Sequence, residues 1–169
     1  MKLLEEGVFP VRFLGFGFFW AWLFIAGLSP SPLFGSPLCV GGIPFELFEL
    51  LMRCAMLAIS LTLSCVIATD RGKYCFLALG AVAGIAVTPL LLWGGSEEAH
   101  SVSSLLTAMT EVSLFLMWLS FFGAMRLGDT LTLLVISYGV GALLFLVALM
   151  GGERTLLGAS IVFPLLSAA

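Results

Sequence analysis

The sequence predicts an all-α integral membrane protein, a bundle of six transmembrane helices in a single domain over residues 1–169. Hydrophobic residues make up 61% of the chain and charged residues only 10%, so it lacks the polar residues that cover the core of a soluble domain. The mean hydropathy is +1.19. Because the apolar runs are continuous and do not alternate with period two, they favour membrane-spanning helices over the strands of a membrane barrel.

Six apolar stretches can be assigned as crossings, since about 20 residues are needed to cross a hydrocarbon core of roughly 30 Å. The predicted helices cover residues 11–28, 46–69, 74–93, 102–125, 130–150 and 155–169. Glu5 and Glu6 precede the first stretch, so we expect a retained helix and not a cleaved signal peptide. The last stretch is the shortest and stops at Ala169, so we expect the natural reading frame to continue and this chain to be truncated at its C-terminus.

Lysine and arginine residues predict the orientation of these crossings. One side of the membrane receives Lys2, Arg12, Arg71, Lys73 and Arg126, and the other receives Arg53 and Arg154. Because cytoplasmic loops carry the excess of basic residues, this imbalance places the N-terminus in the cytoplasm. An even number of helices then returns the C-terminus to the same side. The lipid bilayer of the inner (plasma) membrane is therefore the first predicted partner.

Glu111 is an acidic residue near the middle of the predicted fourth helix. A carboxylate at the centre of a bilayer costs about 3 kcal/mol on insertion scales. A residue kept at that cost is expected to face the bundle interior or a cavity, where it could bind a cation, a proton or a substrate amine. The alternative is a buried structural carboxyl that bonds to serine or threonine on a neighbouring helix, and the sequence leaves both open.

The second predicted helix begins with three charged residues, Glu46, Glu49 and Arg53. Their spacing of three and four places them on one helix face, and Glu49 precedes Arg53 in the favourable order for an ion pair. One interpretation is the outer rim of a central cavity, with Arg53 offered to an anionic ligand. The other, which we favour, is a structural clamp at the end of the helix.

Six glycines are predicted at helix contacts, because small residues let two backbones approach closely within a membrane. They are Gly15, Gly17, Gly80, Gly84, Gly139 and Gly141. Two of them, Gly80 and Gly84, form a G-x-x-x-G motif on the third helix.

Nothing in the composition indicates an enzyme or a nucleic-acid-binding module. The net charge is −3 and there is no basic stripe, so we expect no direct contact between this segment and nucleic acid. The four cysteines and the single histidine, His100, have no metal-ligand spacing, and no set of nucleophile and base is evident. His100 is predicted in a solvated loop. We therefore expect no catalytic residue, no metal and no cofactor.

The turn Asp70-Arg71-Gly72-Lys73 resembles a shortened form of the D-R-x-G-R/K turn between helices 2 and 3 of the major facilitator superfamily. One residue is missing between Arg71 and Gly72. The resemblance implies a cytoplasmic latch made by Asp70, Arg71 and Lys73. Six crossings with both ends in the cytoplasm also equal one half of that fold.

The chain as a whole is similar to the N-terminal membrane half of LuxR-type helix-turn-helix regulators, which carry a facilitator-like domain before their DNA-binding domain. The similar segments are WAWLF at 20–24, SP at 29–30, FELLMR at 48–53, LMWLSFF at 116–122, SY at 137–138 and PLLSA at 164–168. A Gly-Glu pair tends to follow the helix-4 tryptophan in that family, whereas Leu119 and Ser120 stand here.

The resemblance implies a sensor in which a small lipophilic or ionic ligand shifts the helix bundle and a DNA-binding domain, absent from this chain, responds. The remaining helices of its own fold, or a homo-oligomer, are then expected partners. Half of a secondary transporter that uses Glu111 for proton or cation coupling is a second hypothesis. An accessory membrane protein with only a packing role is a third. The coding sequence beyond Ala169 would discriminate among them.

Overall fold

The computed structural model describes residues 12–28, 39–63, 69–93, 97–123, 125 and 127–168. Within them the chain forms six helices: α1 (Arg12–Leu28), α2 (Phe45–Thr62), α3 (Asp70–Trp93), α4 (Glu97–Gly123), α5 (Leu127–Met150) and α6 (Glu153–Ala168). A short antiparallel pair of strands, β1 (Cys39–Val40) and β2 (Ile43–Pro44), precedes α2. Gly41 and Gly42 both have positive φ in the tight turn between these strands, as a two-residue hairpin of this kind requires. The predicted all-helical fold is confirmed.

Two helices begin four or five residues earlier than the apolar pattern predicts. α3 starts at Asp70, so Asp70, Arg71 and Lys73 lie in its first turn, and the predicted turn at these residues is wrong. Thr69 caps this helix, because its side-chain oxygen accepts a hydrogen bond from the backbone N–H of Gly72 at 3.0 Å. α4 starts at Glu97, so the prediction that His100 lies in a loop is also wrong. Charged first turns are invisible to a search for apolar runs, although acidic residues stabilise a helix N-terminus.

The other described boundaries lie closer to the prediction, with one exception. α1 begins at Arg12, α5 at Leu127 and α6 at Glu153, each within three residues of the predicted start. The exception is α2, which ends at Thr62 and not at residue 69. Residues 64–68 and Ala169 lie outside the described part of the chain.

The helices pack as two close pairs, and α6 connects the pairs. The most extensive contacts join α1 to α5 and α3 to α4. α6 lies against both α1 and α3, and so links the two pairs. In contrast, α2 contacts mainly α4 and the β-hairpin, which places it at the edge of the bundle.

An aromatic cluster joins α1 to α4 in the interior. The ring of Phe16 lies 5.6 Å from that of Phe19, 5.2 Å from that of Trp118 and 5.1 Å from that of Phe122, measured between centroids. The Trp118 indole also donates a hydrogen bond of 3.2 Å to Ser167 Oγ on α6. These contacts fix three helices around one core.

Close helix contacts are confirmed at five of the six predicted glycines, which are Gly15, Gly17, Gly80, Gly84 and Gly141. A Cβ atom added at Gly84 would lie 2.9 Å from the Pro164 side chain, and one added at Gly80 would overlap Ser113. The prediction for Gly139 is wrong, because no atom of the described residues lies within 4 Å of the position that its Cβ would take.

Apolar side chains cover much of the outer surface of the bundle as well as its core, which differs from a soluble protein. Large apolar side chains are exposed along the helices, among them Leu61, Val82, Val135, Leu143 and Val147. Nine hydroxyl side chains of the described residues are also buried, and they are Ser60, Thr88, Ser103, Ser104, Thr110, Ser113, Ser137, Ser160 and Ser167. This arrangement is expected where lipid covers the outside and buried hydroxyls bond across helices.

Three described helical stretches are long and apolar enough to cross a membrane, and they suggest a membrane protein. They are Arg71–Leu90, Glu98–Gly123 and Leu127–Met150. α1 has 17 residues and α6 has 16, which is short for a crossing of about 20 residues. α2 has 18 residues but carries Glu46, Glu49 and Arg53. The three charges interrupt its apolar character.

Candidate ligand cavity

A cavity of about 490 Å³ lies between α1, α2 and α4. Its described walls come from residues 19–26 of α1, 45–57 of α2 and 100–115 of α4, and Val87 and Thr88 of α3 and Ser160 of α6 also line it. The cavity therefore lies toward the end of the bundle where α1 connects to α2 and α3 connects to α4. Its volume falls within the range of about 300–1,000 Å³ typical of small-molecule sites.

The central feature of the cavity is an ion pair between Arg53 and Glu111. Arg53 Nε lies 2.7 Å from Glu111 Oε2, and Arg53 Nη2 donates a hydrogen bond of 3.1 Å to Glu111 Oε1. The guanidinium therefore binds both oxygens of the carboxylate, which is the strong bidentate geometry of such pairs. The two residues are 58 positions apart, so this contact joins α2 to α4.

A second carboxylate lies on the same guanidinium. Glu49 Oε2 is 3.6 Å from Arg53 Nη2, which Glu111 already engages. Glu49 and Arg53 are one helical turn apart on α2, so their shared face is set by the helix itself. The described charged side chains of the cavity are thus two carboxylates and one guanidinium.

Burial differs among the three charged residues. The Glu111 side chain is 14% exposed, that of Glu49 is 31% exposed and that of Arg53 is 42% exposed. Glu111 lies near the middle of α4, where loss of water makes an unpaired charge costly. Arg53 offsets that cost because its aliphatic stem can follow the apolar wall while the guanidinium reaches the carboxylate.

The structure brings together three of the predicted site residues and separates the rest from them. Glu111, Glu49 and Arg53 line the same cavity, whereas Glu46 is exposed on α2 and does not line it. The shared face predicted for Glu46 therefore does not place its side chain in the cavity, which α2 lines with Phe45, Glu49, Arg53 and Leu57.

Arg71 and Lys73 of the predicted latch do not line the cavity either, and the side chain of Asp70 lies outside the described part of the structure. The cavity residue Thr88 follows Lys73 by 15 positions on the same helix, which is about 22 Å along its axis. Arg71 and Lys73 are exposed. A latch at this position would act at the opposite end of the bundle.

Several cavity residues were not found from the sequence. His100, Ser103, Ser104 and Thr107 line the cavity together with Glu111. Their spacing of three or four residues places all five on one face of α4, so the polar stripe that ends at Glu111 was the available signal. The predicted start of α4 at residue 102 hides only His100, whereas Ser103, Ser104 and Thr107 lie within the predicted helix, where serine and threonine are common at helix contacts.

The hydroxyl groups of the cavity differ in their bonding. Thr88 Oγ1 and Ser160 Oγ are 2.7 Å apart and share a hydrogen bond between α3 and α6. Ser103 Oγ donates to the backbone oxygen of His100 at 2.8 Å. In contrast, Ser104 Oγ and Trp20 Nε1 are buried and have no hydrogen-bond partner among the described residues.

Aromatic side chains form much of the remaining wall. The described lining includes Phe19, Trp20, Trp22, Phe45 and Phe115. Cysteine, histidine and acidic side chains do not gather into a cluster of three or more that could hold a metal within the described residues. The cavity thus combines an aromatic wall with a small group of charges, an arrangement suited to an organic ligand.

Comparison with known proteins identifies no relative. No family model, no curated protein and no solved structure matches the chain. The resemblances to the major facilitator superfamily and to LuxR-type regulators remain predictions from the sequence.

Proposed function

We propose that the chain is a multi-pass domain of the inner membrane that senses a small molecule, as the signal-input half of a LuxR-type transcription regulator. The observation that carries this proposal is the cavity in which Arg53 of α2 pairs with Glu111 of α4. The order of the similar segments along the chain supports the assignment to the regulator.

The position of α2 provides a physical route from ligand to signal. α2 contacts mainly α4 and the hairpin, and the Arg53–Glu111 pair is the polar link between α2 and α4 within the described residues. The Arg53–Glu111 pair can be formed or broken. A ligand that has different affinities for these two states shifts the equilibrium between them. Each tenfold difference in affinity corresponds to about 1.4 kcal/mol of such bias.

The proposed orientation places the cavity where an external molecule can reach it. If all six helices cross the bilayer from a cytoplasmic N-terminus, the connections from α1 to α2 and from α3 to α4 lie on the outer side. The cavity lies toward that same end of the bundle. Reporter fusions at both termini test this threading, because both are expected in the cytoplasm and termini on opposite sides would contradict it.

The link between the ion pair and the position of α2 can be measured with the native thiols. Cys54 on α2 and Cys75 on α3 are free and exposed, so they accept spin labels once Cys39 and Cys65 are replaced by serine. We expect Glu111→Gln to lengthen or broaden the Cys54–Cys75 distance distribution in lipid nanodiscs. The matched control is Glu46→Gln, which removes a charge from the exposed face of α2 and is expected to leave the distribution unchanged. A Glu111→Gln distribution identical to the wild type would refute the switch.

Half of a secondary transporter is the second candidate. The observation in its favour is that Glu111, near the middle of α4, lies in a cavity with an arginine partner, as ionisable residues on ion pathways often do. Proteoliposomes that enclose a pH-sensitive dye separate the two candidates. A transporter predicts proton flux that Glu111→Gln abolishes, whereas a sensor predicts no flux in either protein.

A further inference from the structure

We infer that the cavity binds an amphipathic organic cation, with one positive charge beside an aromatic or aliphatic body, and that Glu49 is the carboxylate that pairs with it. This inference rests on the proposed function, since it names the class of ligand that the sensory cavity takes. The juxtaposition of two carboxylates, one guanidinium and an aromatic wall carries it.

Among the described residues of the cavity, one carboxylate is left without full compensation of its charge. The bidentate contact with Glu111 occupies Arg53 Nε and Nη2, and Glu49 reaches only the nitrogen that Glu111 already engages, at 3.6 Å. The connecting segments 29–38, 64–68 and 94–96 contain no charged residue in the sequence. The surplus negative charge of the cavity is therefore not offset by these segments, and it favours a monocation.

The aromatic wall adds to the preference for a cation. Phe19, Trp20, Trp22, Phe45 and Phe115 are among the described lining residues. The faces of such rings attract organic cations, and the attraction increases where water is excluded. An alkyl or aryl ammonium ion would pair its charge with Glu49 and pack its apolar part against these rings.

An anionic ligand, for which Arg53 was a candidate in the sequence, fits less well. It would have to compete with both oxygens of Glu111 for the guanidinium. It would also approach two carboxylates while it did so. Because like charges repel strongly where water is scarce, the geometry disfavours an anion.

Two probes of the same shape and opposite charge test this inference. Tetraphenylphosphonium and tetraphenylborate would be titrated into the full chain in phosphatidylcholine nanodiscs, with binding measured by equilibrium dialysis against empty nanodiscs. We expect tetraphenylphosphonium to bind the wild type, Glu49→Gln to weaken it at least about tenfold, and Glu46→Gln to leave it unchanged. Tetraphenylborate is expected to bind the wild type more weakly and to gain affinity in Glu49→Gln.

Cavity-filling variants separate failure of this inference from failure of the proposed function. Thr107→Trp fills the cavity from α4, and Leu57→Trp fills it from α2 should the first variant fail to fold. Suppose that the wild type binds tetraphenylborate more tightly than tetraphenylphosphonium and that either variant abolishes this binding. That result would overturn the cation assignment but would still support a sensory cavity. If neither variant changes the binding of either probe, the cavity is not a ligand site and both proposals are wrong. If Glu46→Gln and Glu49→Gln weakened the binding of tetraphenylphosphonium equally, the role of Glu49 would also be overturned.

Discussion

The coupling energy between Arg53 and Glu111 is the most direct test of the proposed switch. The perturbation is a double-mutant cycle of Arg53→Met, Glu111→Gln and the combined variant. Two contacts, at 2.7 and 3.1 Å, join the side chains. Opposite charges about 4 Å apart attract each other by about 4 kcal/mol at an effective dielectric constant near 20.

Solvent reduces this gross attraction, because the Arg53 side chain is 42% exposed while that of Glu111 is only 14% exposed. Exposed pairs contribute about 0–1 kcal/mol, whereas breaking a buried pair costs about 3–5 kcal/mol. The bidentate geometry and the partial burial place this pair between the two limits. We therefore expect a coupling energy of about 2 kcal/mol.

The assay is reversible unfolding of the purified chain in mixed micelles, with the free energy of unfolding measured for all four proteins. A control cycle pairs Arg53→Met with Glu46→Gln, and its coupling energy is expected to be near zero because Glu46 is exposed and outside the cavity. A coupling energy for Arg53 and Glu111 that is no larger than the control value would refute the role of the pair in holding α2.

Three further predictions concern the lipid-facing surface, the glycine contacts and the buried hydroxyls. Val135 is 73% exposed on α5, and a soluble protein would tolerate Val135→Asp there. In a membrane we expect this variant to make insertion of α5 less favourable by about 3 kcal/mol in a translocation assay. Unchanged insertion would show that this face does not meet lipid. Gly80→Ala is expected to lower the free energy of unfolding by about 1–3 kcal/mol, because the added Cβ overlaps Ser113. Gly139→Ala serves as the control, because the Cβ added there meets no described atom within 4 Å. Thr88 and Ser160 share a hydrogen bond between α3 and α6. A double-mutant cycle of Thr88→Val and Ser160→Ala is expected to give a coupling energy of about 0.6–1.7 kcal/mol. A coupling energy of zero would mean that the contact does not hold α3 to α6.

The elements that could be predicted from the sequence are those set by long apolar runs. The cores of α1, α3, α4 and α5 follow directly from composition, since nothing else places about 20 apolar residues in succession. The ends of α3 and α4 could not be found in this way, because they are stabilised by caps and acidic first turns and not by apolarity. Capping and first-turn interactions therefore set the helix boundaries that the apolar pattern does not define.

The candidate site could be predicted only in part, for a related reason. The i, i+4 spacing of Glu49 and Arg53 and the isolated position of Glu111 each drew attention to a charged residue. The spacing cannot show that α2 lies against α4, because that contact joins residues 58 positions apart. The walls from α1, α3 and α6 depend on the same long-range packing.

The way α2 is attached explains why it is the element that a ligand could move. Apolar surface gives helices little reason to associate when lipid surrounds them, so close packing of small residues and polar contacts hold membrane helices together. The confirmed glycine contacts lie on α1, α3 and α5, and the sequence of α2 contains no glycine. Within the described residues, the attachment of α2 to α4 therefore depends heavily on the Arg53–Glu111 ion pair. A ligand whose charge enters the cavity acts on that pair directly, and α2 can respond while the glycine-packed helices remain in place.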